Sequence, residues 1–276
     1  MKFGVCSIVK NENLYLREWV EHYINLGFDK IILYDNNNPT GEHPAAVIQD
    51  YIDKNYVDII DWKYKTNGFA EFNTMQMNAY NDCLDKYKNE LDWIAFLDID
   101  EFLHLTKHKK IQYVFEAYNN YEEFDIILMS WYTMGNKNEL YYKTGNVQDR
   151  FTEHTPGKYG IFENIDLMIK SFVKTSSNAK YKVNVHSPEA ESACNIYGVR
   201  CYECKNCTSL NFYNHNIMYV KHYYTKSLCE FLYKSYNKSN FTFGRSIDQY
   251  KLLNGWSDEH EKVYQNFLKI NKIQKN

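Results

Sequence analysis

The sequence predicts an α/β protein with a mainly parallel central sheet between helical layers, and three observations carry that reading. Strand-like and helix-like segments alternate through the first hundred residues. The strand-like runs are short, continuous and apolar, as expected of strands covered on both faces. The run Trp93-Ile94-Ala95-Phe96-Leu97 passes straight into Asp98-Ile99-Asp100-Glu101, so three acids in four positions stand at the end of a buried strand. In open α/β sheets the crevice beyond the carboxyl ends of the strands is where ligands bind.

Taken in order, Phe3 to Val9 reads as the first strand, ending in Lys10-Asn11-Glu12-Asn13. Leu14 to Leu26 has helical spacing at Leu16, Trp19, Val20, Tyr23 and Ile24, with Gly27 at the C-cap. Lys30 to Tyr34 is a second strand, and Asp35 follows in an Asn-rich stretch. At the end of a second strand an acid can meet a ribose hydroxyl, although for Asp35 taken alone a turn-forming Asp is the better explanation. A helix over 45–54, a strand over 57–62 and a helix over 73–87 come next, with Met77, Tyr80 and Leu84 on the apolar side of that last helix. Gln76, Asn78, Asn81 and Asp82 mostly lie off that stripe and read as solvent-facing. Beyond Leu103 the spacing gives a helix over 111–121, strands over 125–131, 170–174, 181–185 and 217–220, and a helix over 228–236. The region between 135 and 160 is rich in loops, and no internal repeat or long linker is visible.

With 276 residues the chain suits one large domain, or one with a small appendage. A net charge of −3 and the lack of a long basic block do not call for nucleic acid as a partner. Aromatic residues make up 17%, a surplus that suits stacking on sugars or bases. No apolar stretch is long enough to span a bilayer and no signal-peptide pattern opens the chain, so a cytoplasmic location with reduced cysteines is expected. Lys262, Lys269, Lys272 and Lys275 beside apolar residues leave peripheral contact with the inner face of the cell membrane open. An amphipathic terminal helix is the simpler reading. There is no GxGxxG and no phosphate-binding Gly-rich loop, which argues against NAD and P-loop chemistry.

Three acids at a buried strand end are costly unless compensated. A divalent cation held by Asp98 and Asp100, with Glu101 supporting or turned aside, is the economical explanation; a solvated acidic turn is the plain one. Hard oxygen ligands favour Mg²⁺ or Mn²⁺, ions that commonly sit on a nucleotide's phosphates.

Several ordered motifs resemble bacterial glycosyltransferases of the GT-A fold, in the family 2-like and family 92 group. They are Ile8-Val9-Lys10-Asn11-Glu12, Arg17-Glu18-Trp19-Val20-Glu21-His22, Tyr34 to Asn37, Gln76 ahead of Asn81 to Leu84, and Trp93 to Phe102. Lys170-Ser171 and His222-Tyr223-x-x-Lys226-Ser227 are similar as well. The resemblance runs to about Tyr236. It implies a GT-A glycosyltransferase domain over 1–236, with a nucleotide-binding half at 1–105 and an acceptor half at 106–236, followed by a helical segment at 237–276. It also implies metal-assisted transfer of a sugar, with inversion, from a nucleotide-sugar donor of the UDP-hexose kind to a glycan or lipid-linked saccharide acceptor. By the same resemblance Ile8, Lys10, Glu12, Asp35 and Gln76 contact the donor, and Asp98 and Asp100 hold ribose and metal. Asp100 is then the first choice for direct coordination.

By the same resemblance a third metal ligand is a His from the C-terminal half, for which His222 and His186 compete, a structural His being the plain alternative for each. His222 has Lys226 four residues on, a spacing that puts an ammonium within reach of a diphosphate. An inverting reaction needs a carboxylate base, and Asp149, before Arg150-Phe151, stands where similar sequences have Glu. Glu153 and Glu163 are the fallbacks, and pairing of Asp149 with a nearby Arg or Lys is the bland alternative. Cys194, Cys201, Cys204 and Cys207 form C-x6-C-x2-C-x2-C, read either as a structural Zn²⁺ site or as reduced thiols in a surface insertion. Two other functions compete: a DxD phosphohydrolase, and a non-catalytic GT-A-like nucleotide- or glycan-binding protein.

Overall fold

The computed structural model describes residues 1–65, 69–158, 164–201, 214–237 and 246–271. The chain divides into two compact units, Met1–Tyr132 with Asp166–Lys221, and Thr133–Ile165 with His222–Asn276. This division is discontinuous in sequence, whereas the reading above places its boundary between residues 236 and 237.

The first unit opens with strand β1 (Phe3–Val9), helix α1 (Asn13–Asn25), β2 (Lys30–Asp35), α2 (Ala45–Asp53), β3 (Val57–Asp61), α3 (Phe69–Tyr87) and β4 (Trp93–Phe96). Beyond β4 come β5 (Glu101–Leu105), α4 (Ile111–Ala117), β6 (Ile126–Thr133), β7 (Ile169–Lys174), the short β8 (Ala193–Asn195) and β9 (Met218–His222). The strands form one sheet in the order β3-β2-β1-β4-β7-β6-β9-β5, with β8 beside β6. Strands β1 to β4 pair in parallel, as their alternation with helices requires, while β7 runs antiparallel to both β4 and β6. The expected α/β class with a largely parallel sheet therefore holds.

Helices cover both faces of the parallel part. Successive strand residues point to opposite sides, so Cys6, Ile32, Tyr34, Ile94 and Phe96 meet Ala79, Tyr80, Cys83 and Leu84 of α3. On the opposite face Phe3 packs edge-on to Phe115 of α4 at 4.7 Å, and Trp93 does so at 5.3 Å. Helix α1 turns its Leu16, Trp19, Val20 and Tyr23 inward. Gly27, at φ 89°, ends it in a conformation that a Cβ would strain, as its C-cap position predicts.

After β4 the acids make a turn, at the end of a buried strand as expected, and β5 becomes the far edge of the sheet. Two local expectations fail. Residues 181–185 form no strand, because Val183 is 68% exposed and only an isolated bridge, Lys180 to Glu189, pairs the segment. Gln76 and Asn81 are not solvent residues: Gln76 is buried, and Asn81 exchanges two hydrogen bonds of 2.9 Å with the backbone of Tyr181.

The second unit contains α5 (Val147–Arg150), α6 (Leu228–Asn237), α7 (Ile247–Asn254) and α8 (Asp258–Ile270). Ser257 and His260 form a reciprocal capping box at the start of α8. Val263, Tyr264 and Leu268 of that helix are buried, so its apolar face is used inside the protein, the simpler of the two readings above. No described helix is long and apolar enough to cross a membrane. Cys204 and Cys207 lie outside the described residues, as does Glu163. Cys194 and Cys201 are buried.

Candidate active site

The parallel registers set the ends of β1, β2 and β4 side by side. Val9 pairs with Asp35 and Cys6 with Phe96, and the amide of Leu97 donates to Cys6 O at 3.1 Å. Residues that leave these ends, Lys10 and Glu12 from β1, Asp35 from β2 and Asp98 to Glu101 from β4, are gathered at one edge of the sheet. This is where the topology predicts a ligand crevice.

The acidic turn is built from its backbone outward. The Glu101 amide donates to Asp98 O at 3.0 Å, and the Glu101 side chain returns to accept from the Asp98 amide at 2.9 Å. The indole N–H of Trp19 donates to both Asp98 O at 3.0 Å and Glu101 O at 2.9 Å. The Tyr23 hydroxyl donates to Glu101 O at 2.9 Å and accepts from the Leu103 amide at 3.0 Å. His22 Nε2 donates to Leu103 O at 2.8 Å, and burial lowers its pKa to about 4, so the ring is neutral at neutral pH. One face of α1 thus serves as a clamp for the turn, which accounts for the Trp19-Val20-Glu21-His22-Tyr23 motif in physical terms.

Lys170, from β7, supplies the compensating charge. Its side chain has no exposed surface, and its ammonium lies 2.9 Å from Asp98 Oδ2 and 3.2 Å from Glu101 Oε2. Burial would discharge this lysine, but the Asp98 and Glu101 carboxylates outweigh that effect and raise its pKa. Burial pushes Glu101 up to about 8 against the pull of Lys170, with Asp98 and Asp100 adding to the rise. Gln76 Nε2 reaches Tyr80 Oη at 2.7 Å and Asp98 Oδ1 at 3.3 Å. The Asp98 side chain remains 40% exposed, while Asp100 is buried. Sequence reasoning did not place Lys170 in the site, although Lys170-Ser171 belonged to the resemblance. A lysine inside an apolar strand was the available signal.

The other expected site residues are placed as follows. Asp35 is engaged at both oxygens: Oδ1 accepts from the amide of Asn37 at 2.9 Å and from its side chain at 2.7 Å, and Oδ2 meets Lys63 Nζ at 2.6 Å. Ile8 and Lys10 are half-buried and Glu12 is buried. His186 lies in the loop after β7, its Nδ1 3.1 Å from Ile169 O and its ring 5.5 Å from that of Trp131. Burial, then the charge of Lys170, lower its pKa to about 4.

His222, Lys226 and Asp149 belong to the second unit. His222 is buried at the end of β9, edge-on to Tyr224 at 5.5 Å. Lys226 is buried at φ 52° and donates to Tyr223 O at 3.2 Å. Asp149 is exposed on α5, and it is not neutralised by its neighbour: Arg150 makes a two-pronged pair with Glu230, at 3.0 and 2.6 Å.

Among the described residues no three His, Cys, Asp or Glu side chains are arranged to hold a metal ion. The turn nevertheless suits a hard cation that takes one or two carboxylates from protein and the rest from phosphate and water. Two carboxylates there share one lysine, the buried Asp100 adds a third acid to the turn, Glu101 Oε1 is buried without a hydrogen-bond partner, and the accessible donors of Asp98 are oxygens.

Comparison with known proteins agrees with the motifs. A glycosyltransferase family 92 protein of Oryza sativa subsp. japonica is 28% identical over 115 residues, 42% of this chain and 18% of its own length. A galactan beta-1,4-galactosyltransferase of Arabidopsis thaliana is 27% identical over 113 residues, 40% of this chain and 22% of its own. The chain thus spans about a fifth of the length of these curated relatives. The solved structure of S. aureus TarS 1–349 aligns over 97% of this chain and 79% of that one, at 14% identity and a TM-score of 0.41. That likeness is too remote to bear on the site. The family model described as glycosyltransferase family 92 matches residues 2–267, nearly the whole sequence, and the chain therefore belongs to glycosyltransferase family 92.

Proposed function

We propose that the protein transfers a hexosyl group from a nucleotide-sugar donor, UDP-linked, to a hydroxyl of a glycan or lipid-linked saccharide, with inversion. The observation that carries this reading is the Asp98-Ile99-Asp100-Glu101 turn beside the ends of β1 and β2, in a chain matched to the family from residue 2 to residue 267. The galactosyltransferase among the relatives supports a hexose as the transferred group.

In this mechanism Ile8, Lys10, Glu12, Asp35 and Gln76 hold the nucleoside end of the donor, and Asp98 accepts from its ribose. Asp98 and Asp100 are the residues that would hold Mn²⁺ or Mg²⁺, with His186 of the same unit as a further ligand; such an ion, when bound, stabilises negative charge on the departing diphosphate. Asp149 accepts the proton of the acceptor hydroxyl as that oxygen bonds to the anomeric carbon. The bond from that carbon to the phosphate oxygen breaks, its electron pair leaving with the nucleoside diphosphate. The exposure of Asp149 and the commitment of Arg150 to Glu230 support this choice of base, since the carboxylate is left available.

The test is calorimetric titration of UDP and UDP-hexoses with and without Mn²⁺, repeated with Asp100→Ala. Metal-dependent UDP binding that the substitution weakens at least tenfold is the expected result. Absence of binding to any uridine nucleotide with either metal would sink the reading.

A further inference from the structure

We propose that Lys170 and Glu101 are positioning residues that fix the direction in which the Asp98 carboxylate is presented. This role presupposes the transferase chemistry proposed above. Neither side chain has any exposed surface, so neither can touch a donor, and both are in contact with Asp98. Asp98 is the partly exposed member of the trio, at 40%.

The hold on Asp98 comes from separate elements. Lys170 Nζ, on β7, takes Oδ2 at 2.9 Å, and Gln76, on α3, reaches Oδ1 at 3.3 Å. Glu101 caps the Asp98 amide at 2.9 Å and its same oxygen lies 3.2 Å from the Lys170 ammonium, so backbone and side chain of Asp98 are tied to one buried Lys170–Glu101 contact. Strand β7 is itself fixed between β4 and β6, with Ala95 opposite Phe172 and Met129 opposite Lys170. The ammonium therefore projects from the rigid middle of the sheet and not from a loop. A carboxylate left to rotate would lose part of the ordering that makes a ligand effective, and supporting groups of this kind preserve it.

The experiment uses the full chain and the double substitution Lys170→Met with Glu101→Gln. It replaces both members of the buried contact together and keeps an amide oxygen for the Asp98 N–H, so neither Lys170 nor Glu101 is left facing the gap of the other, while the 40% exposed Asp98 carboxylate keeps its access to water. Two quantities are measured: the thermal midpoint without ligand, and the affinity for UDP in saturating MnCl₂. A pair that only balanced charge would move stability and affinity together. The expected result is a midpoint close to wild type with UDP bound at least fivefold more weakly. A loss smaller than fivefold overturns the positioning role while leaving the transferase reading intact. Wild-type protein that fails to bind UDP with Mn²⁺ or Mg²⁺ overturns both. Should the double variant not fold, a crystal structure of the wild type with UDP and Mn²⁺ decides the matter. Lys170 Nζ within hydrogen-bond distance of Asp98 then supports the role, and Lys170 turned away from it overturns the role.

Discussion

Glu101→Gln removes a titrating group from the acidic turn while keeping its shape and an acceptor for the Asp98 amide. The native Glu101 has a pKa of about 8, raised by burial and by Asp98 and Asp100 against the pull of Lys170, compared with an ordinary value of 4.5. Between these two values the folded chain keeps a proton that the unfolded chain has lost. The stabilisation from that proton is fully present below the ordinary value and disappears as pH rises through the native one. A single proton gives a slope of about 1.4 kcal/mol per pH unit, so between about pH 6.5 and pH 8 the wild type should lose up to about 2 kcal/mol relative to Glu101→Gln. The assay is urea unfolding followed by tryptophan fluorescence, in chelator, at several pH values across that range. Histidine and cysteine titrations are common to both proteins and cancel in the difference. Parallel stability curves for the two proteins would refute the reasoning and mean that Glu101 is ionised throughout, with Lys170 overcoming its burial.

Trp19→Phe removes the donor shared by Asp98 O and Glu101 O and leaves a gap at a fully buried site, so chemical denaturation should show a loss of about 2–4 kcal/mol. Glu230→Ala strands the largely buried Arg150 guanidinium and should cost about 3–5 kcal/mol, while Arg150→Met combined with Glu230→Ala should cost less, as a double-mutant cycle would show. Asp149→Asn should leave UDP affinity within about twofold of wild type and lower turnover at least a hundredfold, in keeping with loss of a general base; an unchanged turnover number would remove Asp149 from that role.

Much of the fold was legible because apolar runs bounded by turn residues report burial directly. The parallel half illustrates this: Phe3 to Val9, Lys30 to Tyr34 and Trp93 to Phe96 each read as strands without knowledge of their partners. Tyr181 to Val185 shows the limit of that method. Its alternation resembles a strand, yet a strand exists only where a neighbour completes its hydrogen bonds, and here Tyr181 turns inward to the Ser171 hydroxyl at 3.1 Å while Val183 faces solvent. The acids at 98, 100 and 101 were equally visible, because three carboxylates behind an apolar run demand compensation wherever they fold.

Sequence alone therefore determined the α/β class, the parallel half of the sheet and the strand end at which the acids collect. These follow from local pattern and from the short-range rules that connect strands through helices. Only the tertiary structure decided what compensates the acids and how they are held. Lys170 is 72 residues from Asp98 and Trp19 is 79, and no local pattern encodes contacts at such separations. The tertiary structure also gave Asp35 to Lys63 and Arg150 to Glu230, leaving Asp149 exposed. Each choice depends on which charges the folded chain brings within a few ångströms of one another, in a setting where burial strengthens both attraction and desolvation.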